Sequence, residues 1–388
     1  MNANEALNVI LQNTIRNEKT EKIPLLKAIN RVLGEDIFAT LNSPKFNNSA
    51  LDGYAFNFCD KNAPLKIVGA SFAGEKLQKI GKFECMKIMT GAIYPQNSDT
   101  TLPIEDENLD KNGYLIIPKD IKQFNACKFE GEEFKKGDLL LKKGEILNST
   151  KIMLIASQGI NKIYVKTLPK IAVFSTGNEI KSLDQNLEMA EIYDSNSYAI
   201  ITMFAKFGIS CDYKGIIKDD LEELKKFLKT CEDYDFIISS GGASKGEADF
   251  VKTAYLEINY EKIVENVKVK PGKMNKVFKK DKRLAFVLPG NPGSAYLVTI
   301  FFVLPCVAKF CGFKLQKPKK AKVAKEIKLN ENRANFVFGI LKNDEFLPLN
   351  KIYSYQITNL SSQNAVALIE EGVSKIEKNS EILVMDLL

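Results

Sequence analysis

Between Pro169 and Gly293 the chain alternates continuous apolar strands with amphipathic helical segments. KIAVFSTGNEI reads as a strand entering a glycine turn, and SYAIITMFAKFG as the helix that follows it. CDYKGIIKDD and LEELKKFLKTC repeat the pair, with Leu221, Leu224, Phe227 and Leu228 on one helical face. DFIISSGG and LAFVLPGNPG supply two more strands. Apolar strands separated by helices predict a parallel sheet covered on both faces. In such a sheet, ligands bind beyond the carboxyl ends of the strands.

The flanks follow other patterns. Residues 4–17 place Ala6, Leu7, Ile10, Leu11 and Thr14 on one helical stripe. Pro24 to Phe38 reads as a second helical or mixed segment, and SPKFNNSALDGYAF as a long functional loop. Residues 64–145 carry short β-type runs punctuated by Gly or Pro, which predicts a small all-β module. STKIMLIASQGI returns to helical spacing, and the chain after Pro318 is β-rich again. The expected multidomain α/β organisation is therefore 1–44 with 138–167, a β-rich insert over 45–137, the α/β domain over 168–314, and a β-domain over 315–388.

The chain of 388 residues contains no histidine, which excludes Ser-His-Asp triads, His-based zinc sites and imidazole bases. Cys59, Cys85, Cys127, Cys211, Cys231, Cys306 and Cys311 are odd in number and never form CxxC, so they are expected to be buried free thiols. No stretch reaches the roughly 20 apolar residues of a membrane span. The longest run, AYLVTIFFVLPCVAKF, is interrupted by Pro305 and reads as a buried helix. The start has no basic segment leading into an apolar one, so a cytoplasmic location is expected. The net charge of +7 comes from scattered lysines. Even the dense KLQKPKKAKVAKEIK lacks an aromatic stacking platform, so no nucleic-acid partner is expected.

Polar groups crowd the predicted strand ends. The first offers Ser175, Thr176, Gly177, Asn178 and Glu179, and the second Asp219 and Asp220. The third offers Ser239, Ser240, Gly241, Gly242, Ser244, Glu247 and Asp249, and the fourth Gly290, Asn291, Gly293 and Ser294. Glycines let backbone N–H groups approach a phosphate, and a neighbouring carboxylate can hold Mg²⁺ together with phosphate oxygens and water. Taken singly, each of these residues fits a turn or a helix cap. Their concentration at four strand ends predicts a phosphate-plus-magnesium site. VKVKPGK adds Lys268, Lys270 and Lys273, and SALDGYA places the lone carboxylate of Asp52 in a neutral loop.

Nine strings stand in order along the chain: SALDGYA, SFAG, IMTGA, FSTGNEI, YDSN, GIIKDD, SSGGASKGEADF, KPGK and LPGNPGSA. In this the chain resembles the MoeA family of molybdopterin molybdenumtransferases, related to the gephyrin E domain, over essentially its whole length. The resemblance implies an elongated N-terminal region, an inserted β-module, a molybdopterin-binding α/β domain and a C-terminal β-barrel. It implies that adenylylated molybdopterin and molybdate react with Mg²⁺, giving molybdenum cofactor and AMP. It implies a homodimer whose sites lie between subunits, and transient contacts with the adenylyltransferase and molybdoenzyme chaperones. By the same resemblance, Asp52, Thr90, Glu179, Lys270 and Lys273 are catalytic, and Asp219, Asp249 and Glu133 are metal ligands. Ser175, Thr176, Gly177, Ser239, Gly241, Gly242, Ser244, Gly290, Asn291 and Gly293 would bind the pterin and its phosphate.

The chain departs from the family pattern in three places. Glu133 stands where the family usually has Asp, and Asn266 where a further lysine is common, with Lys268 nearby. Phe338 replaces a common arginine, which removes the resemblance's support for a catalytic C-terminal domain. The adenylyltransferase resembles the α/β domain alone, so LDGYA and MTGA argue against that activity. A non-catalytic scaffold could lose its acids freely, whereas Asp52, Asp219 and Asp249 are all present.

Overall fold

Among the described residues, six strands form a central sheet: β1 (Ile171–Thr176), β2 (Cys211–Ile217), β3 (Phe236–Ser240), β4 (Glu261–Glu265), β5 (Lys276–Lys280) and β6 (Arg283–Leu288). Their order is β2-β1-β3-β6-β5-β4, with β2, β1, β3 and β6 mutually parallel and the β5–β4 edge antiparallel. The computed structural model describes residues 1–241, 250–272, 276–349 and 353–387. Gly242, Ser244, Asp249 and Lys273 lie outside the described residues. The chain divides into two compact units, residues 1–34, 144–149 and 162–388 in the first, and 35–143 and 150–161 in the second.

In the first unit all residues of β1 and β3 are buried, as the continuous apolar runs predict. Alternate side chains feed two cores. Ile171, Val173, Ile238 and Phe286 pack with Ile200 and Phe204 of helix α1 (Ser195–Ala205) and with Ile10 of the Ala3–Asn13 helix. Ala172, Phe174, Ile237 and Val287 pack with Leu224 and Leu228 of α2 (Leu221–Lys229) and Val251 of α3 (Phe250–Glu257). Burying each such Leu or Ile contributes roughly 1.5–3 kcal/mol. Asp220 caps α2 by accepting from Glu223 N at 2.9 Å, so this second acid of KDD is structural. From β1 the chain crosses to β2 on one side, then returns past β1 to β3 on the other. The carboxyl ends of β1 and β3 thus form the topological switch point where such sheets bind ligands.

The long apolar run forms the expected buried helix, but without the expected break at Pro305. It forms one helical stretch, Pro292–Cys311, of 20 residues with mean hydropathy 1.9, long and apolar enough to cross a bilayer. Of its most apolar window, 72% is buried inside the structure, which makes it a core helix here. Pro305 does not interrupt it. A π turn over Thr299–Val303 directly precedes the Leu304–Cys311 segment, and that wider turn accommodates a residue with no N–H to give.

The C-terminal part closes a five-stranded barrel from Lys319–Val323, Ala334–Lys342, Glu345–Pro348, Ala365–Ile369 and Glu381–Asp386. Val323, Val337, Phe346, Ala367 and Val384 fill it. Pro24 to Phe38, read as helical or mixed, is mixed: it contains a 3₁₀ turn at Leu25–Lys27 and a short strand at Ile37–Phe38 that pairs antiparallel with Leu139–Leu141. The strand before it, Thr20–Pro24, pairs antiparallel with Lys162–Lys166.

The second unit is β-rich. Its four-stranded sheet orders Lys66–Ser71, Glu84–Ile88, Gly53–Phe56 and Thr100–Pro103 around Phe56, Leu65, Cys85 and Leu102. All seven cysteines are free. Cys59 is exposed, against the expectation of burial, whereas Cys85, Cys231, Cys306 and Cys311 are buried. Burial pushes the Cys85, Cys306 and Cys311 thiols up to about 12, which keeps them inert.

Candidate active site

The ends of β1, β3 and β6 meet in one cavity of about 710 Å³. Ser175, Glu179, Gly241, Gly290 and Asn291, all expected site residues, line it. Gly241 makes the convergence sterically feasible. It has φ +92°, and a Cβ there would stand 2.1 Å from Thr176 O. Only a residue without a side chain lets β3 end this close to β1.

Behind the cavity floor lies a buried polar network. Ser175 Oγ donates to Asp194 Oδ1 at 2.8 Å and lies 3.0 Å from Ser197 Oγ. Ser197 N donates to the same Asp194 oxygen at 3.1 Å, which caps α1, and Tyr213 Oη donates to Asp194 Oδ2 at 3.0 Å. Burial first, and the Asp194 charge second, push the Tyr213 phenol well above its ordinary range. Asn196 Nδ2 donates to Ser240 Oγ and to Gly290 O, both at 2.7 Å, and so ties α1 to two strand ends. Ser239 Oγ turns inside the sheet toward Phe286 O at 3.5 Å.

The remaining expected residues fall in several places. Thr176 Oγ1 donates to Asp219 Oδ1 at 3.4 Å, so Asp219 stands beside the end of β1. Gly177 has φ +149°, and the Glu179 carboxylate folds back over it. Gly293 N donates to Ser354 O at 2.7 Å, so its amide is committed to a segment of the C-terminal part. Lys270 lies on the short strand Val269–Lys270, parallel to Ala334–Asn335, and lines a different cavity of about 400 Å³ with Asn335 and Phe336. Lys268 Nζ stands 3.8 Å from Glu371 Oε2, and Asn266 takes φ +55°, a left-handed conformation that Asn tolerates well.

In the second unit Asp52 and Thr90 are hydrogen-bonded to each other. Thr90 N and Oγ1 donate to Asp52 Oδ1 at 2.7 and 2.8 Å. Those bonds, the amide's first, hold the Asp52 carboxyl below the usual carboxylate range. Ionised Asp52 therefore favours the folded chain above the unfolded value of about 4, and that contribution is lost as pH falls through the lower folded value. Thr90→Val removes the hydroxyl bond and keeps the amide bond. The Asp52 pKa should rise toward its ordinary value in a carbon-13 NMR titration, and an unchanged pKa would discount the hydroxyl. Glu133 is held by Ser43, whose Oγ donates to Glu133 Oε2 at 2.6 Å.

Among the described residues no group of three or more carboxylates or thiols is gathered as a metal cage. Mg²⁺ does not require one. It binds through one or two carboxylates and completes its shell with phosphate oxygens and water. Asp219 beside the Thr176 hydroxyl is a hard oxygen pair at a strand end and fits that chemistry.

Asp194, Asn196, Tyr193 and Tyr355 are cavity residues that the strand-end residues alone did not single out. A signal existed for Tyr193, Asp194 and Asn196, which fall within the string YDSN, and an Asp directly before an apolar helix is an N-cap pattern. Tyr355 carries none, since it approaches the cavity from a distant part of the chain.

Comparison with known proteins agrees with this arrangement. Residues 1–159 match the family described as MoeA N-terminal region (domain I and II), and residues 172–309 match the probable molybdopterin binding domain. The chain is 34% identical over 307 residues to a molybdopterin molybdenumtransferase of Haemophilus influenzae, covering 77% of this chain and 75% of that one. It is 31% identical over 301 residues to a Staphylococcus aureus protein of the same name, covering 75% of this chain and 71% of that one. A crystal structure of a molybdopterin biosynthesis moea protein from Pyrococcus horikosii superposes with a TM-score of 0.84 at 29% identity, covering 100% of this chain and 98% of that one. Two matched domains in sequence, and a whole-chain match in structure, mean that the chain belongs to the MoeA family of molybdopterin molybdenumtransferases.

Proposed function

We propose that the protein carries out the metal-insertion step of molybdenum cofactor biosynthesis. Adenylylated molybdopterin and molybdate are the substrates, and molybdenum cofactor and AMP the products. The observation that carries this proposal is the cavity at the β1–β3 switch point, built from the family's own strand-end motifs. Water adds to phosphorus as the phosphoanhydride P–O bond breaks, giving AMP and the pterin phosphate, and the two dithiolene sulfurs replace two oxygens of molybdate, which leave as water with protons from the thiols and solvent.

The chain's own groups bind and orient. Backbone at Gly177, Gly241 and Gly290 gives the pterin and its phosphate a close approach. Asp219, with Asp249, would hold Mg²⁺, which when bound offsets negative charge on the phosphoanhydride. Lys270 and Lys273 would attract molybdate or the pterin phosphate as compact cations, Lys270 from the separate cavity it lines with Asn335 and Phe336. Asp52, held ionised by Thr90, completes the site from a partner subunit in a homodimer. Glu179 folds back over Gly177 beside the cavity, and Glu133 would be a further metal ligand. Seven free cysteines suit a reducing compartment such as the cytoplasm.

Asp219→Ala tests the assignment at the strand end. It should slow AMP release by about 100-fold, the scale for losing one charge-stabilising group, and raise the Mg²⁺ concentration needed for half the maximal rate. An unchanged rate with an unchanged Mg²⁺ requirement would remove Asp219 from the site.

A further inference from the structure

Two tyrosines stand at the strand-end cavity with much of their surface in solvent. Tyr193 is 41% exposed and closes the two-residue ladder between Ile180–Lys181 and Ile192–Tyr193. Its hydroxyl donates to Gln185 O at 3.0 Å, which fixes the ring. Tyr355 is 63% exposed and stacks on Tyr353, with centroids 5.5 Å apart and planes inclined by 24°. Both line the cavity, together with the exposed side chains of Ile192 and Ile357.

Neither tyrosine hangs loosely over this space. The segment carrying Tyr355 is tied to the strand-end loop by the Gly293 N–H, which donates to Ser354 O at 2.7 Å. A Cβ on Gly293 would stand 3.0 Å from that same oxygen, so the glycine lets the two segments close on each other. An open cavity with a polar floor of Asn196, Gly241 and Gly290 and an aromatic-aliphatic rim suits a ligand with a phosphate at one end and a flat ring at the other.

We propose that Tyr193 and Tyr355 clamp the planar nitrogen heterocycle of the substrate while its phosphate lies on the strand-end loops. Tyr355 is then a specificity residue that the C-terminal part contributes to the cavity. This rests on the function proposed above, whose substrate carries two such rings, a pterin and an adenine. Stacking on an aromatic face accepts either ring, so each must be tried.

The full chain is titrated with a pterin monophosphate, followed by pterin fluorescence, and separately with AMP by calorimetry. Tyr355→Ala and Tyr193→Ala should each weaken binding of the same probe by about tenfold, the scale of one lost stacking contact, and leave the other probe unaffected. Tyr355→Phe should bind within about twofold of the unaltered chain, because stacking does not use the hydroxyl. In turnover, Tyr355→Ala should raise KM with little change in kcat. The clamp is refuted if both alanine variants bind both probes as the unaltered chain does, if Tyr355→Phe is as weak as Tyr355→Ala, or if neither probe binds. A chain that binds a ring through both tyrosines yet releases no AMP with molybdate would refute the transferase function and leave the clamp standing.

Discussion

Gly241→Ala should destabilise the fold by about 3 kcal/mol or more, within the range of strained core substitutions, and abolish turnover. The new Cβ would stand 2.1 Å from Thr176 O at a residue with φ +92°. The atoms it would meet, Thr176 O, C and N, are all backbone, so no flexible side chain can swing away. Relief requires β1 and β3 to part at Ser175 and Ser240, where their parallel ladder is paired. These are inner strands with cores on both faces, so parting them disturbs two clusters at once. A urea melt should show the loss as a lowered midpoint. An unchanged midpoint would mean that the strand ends have more freedom than this packing allows.

Asp194→Ala should cost about 3 kcal/mol, the scale for removing one member of a buried charged network. Asp194 is 3% exposed and accepts from Ser175 Oγ, Ser197 N and Tyr213 Oη. The alanine variant strands those donors and removes the N-cap of α1. Asp194→Asn keeps the shape and part of the acceptor capacity, so it should lose less. The Tyr213 phenol should titrate lower in both variants as the neighbouring charge is lost. Equal stability of Asp194→Ala and the unaltered chain would make the network ornamental.

Much of this organisation was legible before the structure, for physical reasons. β1 and β3 are buried on both faces, so their sequences read as unbroken apolar runs. β4 and β5 did not announce themselves. Glu261–Glu265 and Lys276–Lys280 form the antiparallel edge, where part of each strand meets solvent and lysines are tolerated. The buried helix was legible in its apolar run, but its continuity through Pro305 was not, because a π turn precedes that residue. At the site, glycines were legible as places of close approach, but their partners were not. Gly241 faces Thr176 O of its own sheet, whereas Gly293 faces Ser354 from the C-terminal part. Tyr355 reaches the cavity through that same long-range contact, which no local pattern reports.

The central claim is that this cavity releases AMP from adenylylated molybdopterin as molybdenum is inserted. The most direct measurement is AMP production by the purified 388-residue chain, with adenylylated molybdopterin and Mg²⁺, in the presence and absence of molybdate. AMP should appear with molybdate in amounts matching the molybdenum bound to the pterin. Absence of molybdate-dependent AMP from the folded chain would contradict the account.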